Sequence, residues 1–125
     1  MLANNDCVAT AAVKDLNTAK RFYEGTLGLR PVAHEGEEAI TYQTGAAKLL
    51  VYRSRFAGTN RATAVTWIVG PEIESLVREL KAKGVAFEHY DMPGSQRDGD
   101  IHSAGNLKNA WFKDPDGNVL ALVSG

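Results

Sequence analysis

Apolar and polar positions divide the chain into two halves that follow the same order of elements. Cys7 to Val13 is a small, partly β-branched run that predicts a strand. Asp15 follows as a candidate N-cap, and Leu16, Ala19, Phe22, Tyr23 and Leu27 recur at three- and four-residue intervals. That spacing marks one face of a helix, which Gly28 is placed to end as a left-handed cap. Three extended stretches come next, Arg30 to His34, Ala39 to Gln43 and Leu49 to Arg53, with Gly45 in the turn between the last two.

The second half begins with Thr63 to Val69, which alternates as a strand should. Pro71 suits a first helical turn, where its missing N–H costs nothing. Ile73, Leu76, Val77 and Leu80 form the buried stripe, and Gly84 caps the end. Val85 to Tyr90, Leu107 to Lys113 and Val119 to Val123 predict three strands. The turn Asp114-Pro115-Asp116-Gly117-Asn118 between the last two has strong hairpin chemistry. Gly28 and Gly84 lie 56 positions apart, and the same spacing carries Val13 onto Val69 and Thr10 onto Thr66. A βαβββ unit is therefore expected twice without a linker. The later strands lose the spacing because Asp91 to Gly105 is an inserted stretch rich in Gly, Asp and Ser. A loop that long is functional or mobile, and the expectation is a mobile lid.

Composition narrows the class. The 125 residues include 44% hydrophobic and 23% charged side chains, ordinary globular usage that excludes disorder, collagen-like chains and coiled coils. One domain of this length, with module one at about 7–54 and module two at about 63–124, needs no disulfide or metal staple. Fourteen basic against fifteen acidic residues leave a net charge of −1, with no basic stripe for nucleic acid. The lone Cys7 forms no internal disulfide and no zinc-finger spacing is present. Met1 to Asp6 lacks the basic start and apolar core of a signal peptide, and no apolar run approaches the ~20 residues needed to span a membrane. A cytoplasmic protein without nucleic-acid or membrane partners is expected.

Three stretches carry a family resemblance. Val13-Lys14-Asp15-Leu16 with Ala19, Phe22-Tyr23-Glu24 and Leu27-Gly28-Leu29 resembles the first strand and helix of the vicinal oxygen chelate superfamily, which includes glyoxalase I, bleomycin-resistance proteins and extradiol dioxygenases. Leu80-Lys81-Ala82-Lys83-Gly84-Val85 is similar to the end of its second helix. Ala110-Trp111-Phe112-Lys113-Asp114-Pro115-Asp116-Gly117-Asn118 is similar to its closing hairpin and is the most specific of the three. Val51-Tyr52-Arg53-Ser54, Phe56-Ala57-Gly58-Thr59-Asn60 and Tyr90-Asp91-Met92-Pro93-Gly94 also resemble a recurrent subgroup of bacterial glyoxalase-like proteins. The resemblance implies an α+β fold, two tandem βαβββ modules forming a curved mixed sheet around a cup-shaped cavity, and a homodimer.

The resemblance also implies a divalent metal in the cup, held from the first strand of each module and from the last strand. Those positions fall on Val8, Ala64 and Ala121. Divalent cations need carboxylate, imidazole or thiolate ligands, and hydrocarbon side chains supply none. A slip of one residue would bring in only Cys7 as a donor. The fourth position falls near Leu50 or Tyr52. No metal site and no cofactor are expected. Asp98-Gly99-Asp100-Ile101-His102 is a rival donor cluster that a polar surface turn explains better. His34 and His89 sit on expected strands, away from acidic partners at ligand spacing. Lys48, Arg53 and Arg55 form a modest basic cluster that suits an anion or a solvated strand edge equally well.

With Val8 and Ala64 marking the cavity face, alternation adds Thr10, Ala12, Thr66 and Ile68, and Ala121 adds Val119 and Val123. Val65, Trp67 and Val69 then face the helix. Such a lining, small and apolar with two hydroxyls, suits an apolar or aromatic molecule. Tyr52 is placed to stack on the guest, and His102 or Trp111 to close over it from the inserted loop; hairpin packing explains these side chains as well. The first functional reading is a metal-free small-molecule binder. Its alternative is a lyase- or dioxygenase-type enzyme, either cofactorless, using groups such as His102 and Asp100, or with a displaced metal site. A structural or regulatory dimer with a filled cup is the third.

Overall fold

Asp15 starts the first helix as its side chain dictates. One carboxylate oxygen accepts the Asn17 N–H at 3.2 Å and the other the Thr18 hydroxyl at 2.7 Å. The second of these bonds, with the first, holds the Asp15 carboxyl below its ordinary value. The computed structural model describes residues 1–91 and 93–125, and Met92, within the expected inserted stretch, lies outside the described residues. Two compact units, Met1–Asn60 and Arg61–Gly125, divide the chain.

Unit one comprises β1 (Ala9–Val13), α1 (Leu16–Lys20) continuing into a π-helical turn (Arg21–Thr26), β2 (Arg30–Glu35), β3 (Ala39–Thr44) and β4 (Ala47–Arg53). Its sheet order is β1-β4-β3-β2, with β1 parallel to β4 and the other neighbours antiparallel. β1 begins two residues later than expected, because its ladder runs only from Ala9↔Leu49 to Val13↔Arg53. Cys7 and Val8 precede it. The expected continuous helix widens after Lys20, where the Leu27 N–H reaches the Phe22 carbonyl at 2.9 Å. Gly28, at φ 74°, then lets the Leu29 N–H close on the Tyr23 carbonyl. Leu16, Ala19 and Tyr23 are buried, as are Ala11, Val13, Ile40, Tyr42, Leu49 and Val51 of the sheet. The Tyr23 and Tyr42 rings stack at 6.0 Å, and the Tyr42 hydroxyl donates to Glu24 at 2.9 Å. Burial, and then that carboxylate, push the Tyr42 phenol well above its ordinary value.

Unit two comprises β5 (Thr63–Ile68), a 3-10 turn containing Pro71 (Gly70–Glu72), α2 (Ile73–Ala82), β6 (Phe87–Glu88), β7 (Gln96–Asp98), β8 (Ile101–Ala104), β9 (Leu107–Lys113) and β10 (Val119–Val123). β5 runs parallel to β10, and the sheet continues antiparallel through β9, β8 and β7. β6 lies on the same side of β9 as β8: Phe87 and Glu88 pair with Phe112 and Trp111, and His102 to Ala104 pair with Asn109 to Leu107. One strand of the βαβββ plan is therefore split. The expected strand Val85 to Tyr90 is reduced to two paired residues, and the expected loop Asp91 to Gly105 holds β7 and β8.

Local turn chemistry explains the difference. Gly99, at φ 62°, and Asp100 form a two-residue turn inside the pair Asp98↔Ile101, so the polar segment folds back as a hairpin. On the opposite side of the sheet from its open face, Leu120 and Phe112 are fully buried, the Phe87 ring meets Phe112 at a tilt with centroids 5.5 Å apart, and α2 packs on β9 with Ile73, Val77 and Leu80 buried. The closing turn is built on Asp114, 4% exposed. Its carboxylate accepts the Asp116 and Asn118 N–H groups at 2.9 Å each and the Asn118 amide at 2.7 Å.

Candidate functional site

Cross-strand register assigns side chains to faces, because directly paired residues share one. In unit one the rows Thr10–Leu50–Thr41–Ala33 and Ala12–Tyr52–Ala39–Glu35 lie opposite the row Ala11–Val51–Ile40–His34, whose three apolar members are buried on the α1 side. In unit two the rows Thr66–Ala121–Trp111–Glu88 and Ile68–Val123–Asn109–His102 lie opposite the row Val65–Leu120–Phe112–Phe87, of which Leu120 and Phe112 are buried. Thr10 and Tyr52 therefore occupy the helix-free face of unit one, and Thr66, Trp111 and His102 that of unit two. Thr10 and Thr66 are exposed, Tyr52 is 39% exposed, and Ile68, on the same face as Thr66, is 79% exposed.

The three positions that the resemblance assigns to a metal do not form a donor set. Val8 precedes the β1 ladder and Ala121 is buried. Ala64 is skipped by a register step between the pairs Thr63↔Val119 and Val65↔Leu120. All three carry hydrocarbon side chains, so the residues present do not fit a divalent ion there. Among the described residues, no group of three or more His, Cys, Asp and Glu side chains is arranged to hold one elsewhere.

His102 departs from its expected place on a mobile loop. It stands within β8 and is only 2% exposed. Its ring meets Trp111 edge-on at 4.9 Å, Trp111 meets Tyr90 edge-on at 5.3 Å, and Tyr90 lies roughly parallel to His102 at 6.5 Å. The Tyr90 N–H donates to His102 Nε2 at 3.0 Å. These rings form an aromatic wall beside an open depression of about 520 Å³, which Tyr90 and His102 line together with Pro93, Ser95, Gln96 and Arg97.

Asp100 and His102, grouped by the sequence, have different hydrogen-bond partners. Asp100 instead accepts from Lys81 of α2 and pairs with His89, each at 2.7 Å. Those two contacts, Lys81 first, hold its carboxyl below the ordinary range. The His89–Asp100 pair could not be read from sequence, since only the fold-back of β7 and β8 brings the two residues together across the insertion. Asp98 is the exposed last residue of β7, next to the turn Gly99-Asp100. His34 borders a depression of about 270 Å³ on the α1 side, with Asp15, Lys20, Glu37 and Arg53. Of the expected basic cluster, Arg53 and Arg55 line one depression with Lys14 and Glu38; Arg53 pairs with Glu38 at 2.8 Å, Arg55 lies over the Phe56 ring at 4.9 Å, and Lys48 is exposed. Among the described residues, no helix is long and apolar enough to cross a membrane.

Solved structures share this architecture. A glyoxalase family protein from Enterococcus faecalis superposes with a TM-score of 0.71 at 20% identity, covering 98% of this chain and 99% of that one. Lactoylglutathione lyase from Agrobacterium tumefaciens gives a TM-score of 0.70 at 17% identity, with 97% and 94% covered. The fosfomycin resistance protein FosX from Listeria monocytogenes, complexed with Mn(II) and sulfate ion, gives 0.71 at 15% identity, with 98% and 90% covered. No curated protein matches the chain in sequence. The family model for the Glyoxalase/Bleomycin resistance protein/Dioxygenase superfamily matches residues 7–122. With that match over nearly the whole length and the βαβββ plan in both units, the chain belongs to the Glyoxalase/Bleomycin resistance protein/Dioxygenase superfamily.

Proposed function

We propose that this member of the superfamily is a metal-independent binder of a small apolar or aromatic molecule, held on the helix-free sheet face of unit two. The observation that carries this reading is the ring cluster of Tyr90, His102 and Trp111 on the same sheet face as hydrocarbon Ala121. Planar guests gain area and ring–ring contacts against such a wall. The Listeria relative was solved with Mn(II), but Val8, Ala64 and Ala121 offer no donor to that ion. Exposed Ile68, Val8 and Tyr52 argue that a second copy covers apolar surface in a homodimer, and the exposed free Cys7 suits a reducing, cytoplasmic setting.

A ligand that binds only the native state raises the melting temperature by mass action. A thermal-shift screen of neutral aromatic metabolites, with and without Zn²⁺, Ni²⁺ or Mn²⁺, should show stabilisation by aromatics and none by the metals. Stabilisation only when a metal is present would refute the reading. The His89–Asp100 pair favours a second reading, a cofactorless lyase-type enzyme with His89 as the proton acceptor. Product formation from a bound aromatic substrate that disappears in His89→Gln, with ligand affinity kept, would select it.

A further inference from the structure

A nitrogen that accepts a hydrogen bond carries no proton, so the Tyr90 N–H on Nε2 leaves the neutral His102 imidazole with its hydrogen on Nδ1. That Nδ1 is shut off from solvent and has no hydrogen-bond partner among the described residues. Tyr90 itself lies beyond the β6 ladder, which ends at Glu88. The buried ring of His102, rather than a neighbouring strand, therefore holds the chain at Tyr90. Only the neutral ring can do so. A proton on Nε2 sets one N–H against another, so it enters when the Tyr90 amide lets go, and the bond is lost.

Charged groups on the surrounding elements give the protonated ring no bonded counter-ion. Asp100, in the turn before β8, is already taken by Lys81 of α2 and by His89, whose ring centroid lies 6.3 Å from that of His102. Glu88 of β6 lies 3.5 Å from Lys113 of β9. Arg97 of β7 stands directly opposite His102 and adds positive charge, while Asp91 lines the open depression. A charge buried without a bonded partner is strongly unfavourable. From this arrangement we propose that His102 is an acid-released latch. Its neutral ring pins Tyr90 into the aromatic wall, and protonation at Nε2 frees the Tyr90 segment and dismantles the wall. His89 responds with the opposite sign, since a proton there strengthens its pair with Asp100. Control of a guest by the latch rests on the aromatic-binding reading; the latch itself does not.

The test follows ¹⁵N-labelled imidazole spectra and exchange of the Tyr90 amide as the pH is lowered from neutrality. The Tyr90 protection factor should fall at least tenfold over the interval in which the His102 ring takes up its proton. Calorimetry should show 2-naphthol, neutral throughout, binding at least tenfold more weakly below that interval than above it. In His102→Gln, whose carboxamide oxygen can accept the Tyr90 N–H and does not titrate, both changes should vanish; in His89→Gln both should remain. Tyr90 protection that holds while His102 is protonated overturns the latch, and so does a His102 ring that takes no proton before the protein unfolds. These two outcomes need no variant, so the wild-type titration decides even where His102→Gln folds poorly. A transition that persists in His102→Gln, or naphthol affinity that ignores it, also overturns the proposal. Absence of naphthol binding at every pH overturns the aromatic-binding reading and leaves the latch to be decided by the Tyr90 amide.

Discussion

Trp111 and Phe112 are neighbours in sequence with opposite duties, and the pleat of β9 separates them. Phe112 is fully buried on the α2 side, paired with Leu120 and Phe87. Truncating it to Ala should cost about 3–5 kcal/mol of stability, measured by denaturant unfolding, because the cavity cannot collapse around a rigid sheet. Trp111 lies on the helix-free face, only partly buried. Trp111→Ala should weaken aromatic ligands about tenfold in calorimetry, in line with the loss of apolar area and a ring contact, while the fold survives. Asp114 belongs with Phe112 among structural residues. Its carboxylate satisfies two backbone N–H groups and the Asn118 amide, and Asp114→Ala should cost about 2–3 kcal/mol by leaving a buried turn unpaired. The strand Leu107 to Lys113 was legible from sequence, but Trp111 lies on the face of that strand and does not close over a guest from the inserted loop. The burial of His102 was not legible either, since nothing local distinguishes a strand histidine from a loop histidine.

The hairpin of β7 and β8 is the element on which sequence and structure part. Asp and Gly between Ser95 and Gly105 read as loop, yet Gly99-Asp100 is a two-residue turn and its flanks pair. Once folded back, the hairpin is tied to α2 and to the end of β6 by the Lys81–Asp100–His89 contacts. This gives it an acid-sensitive anchor. The Asp100 carboxyl is depressed in the folded protein, so its stabilising contribution is complete above the ordinary value of 3.8 and is lost as pH falls below it. Amide exchange in residues 96–103, corrected for intrinsic rates, should stay slow above that pH and accelerate below it. In Asp100→Asn the same amides should exchange faster at neutral pH and lose the acid-range change. An unchanged profile in Asp100→Asn would show that backbone pairing with β9 holds the hairpin alone.

Across the whole molecule, each unit covers one side of its sheet with its helix and leaves the other side short of partners. Val8, Tyr52, Ile68 and Leu107 are large apolar side chains exposed at 41%, 39%, 79% and 39%. Single apolar residues at a surface are common, but Ile68 and Tyr52 recur on helix-free faces, which argues for burial by another chain. Sedimentation should show a homodimer at micromolar concentration, and Ile68→Glu should shift it toward monomer; a wild-type monomer across that range would remove the dimer from the account. The doubling of the βαβββ plan, the helix faces and the closing hairpin were written in the chain, because periodicity, capping and turn chemistry act over a few residues and need no distant partner. The hydrocarbon at Val8, Ala64 and Ala121 was equally plain, since ligand chemistry is a property of residue type. Only the tertiary structure decided that one strand is split around a folded-back hairpin, that His89 meets Asp100, and that His102 is buried with an unmatched donor. Each of these depends on pairing between residues far apart in sequence, where register and burial, rather than local preference, choose the neighbours.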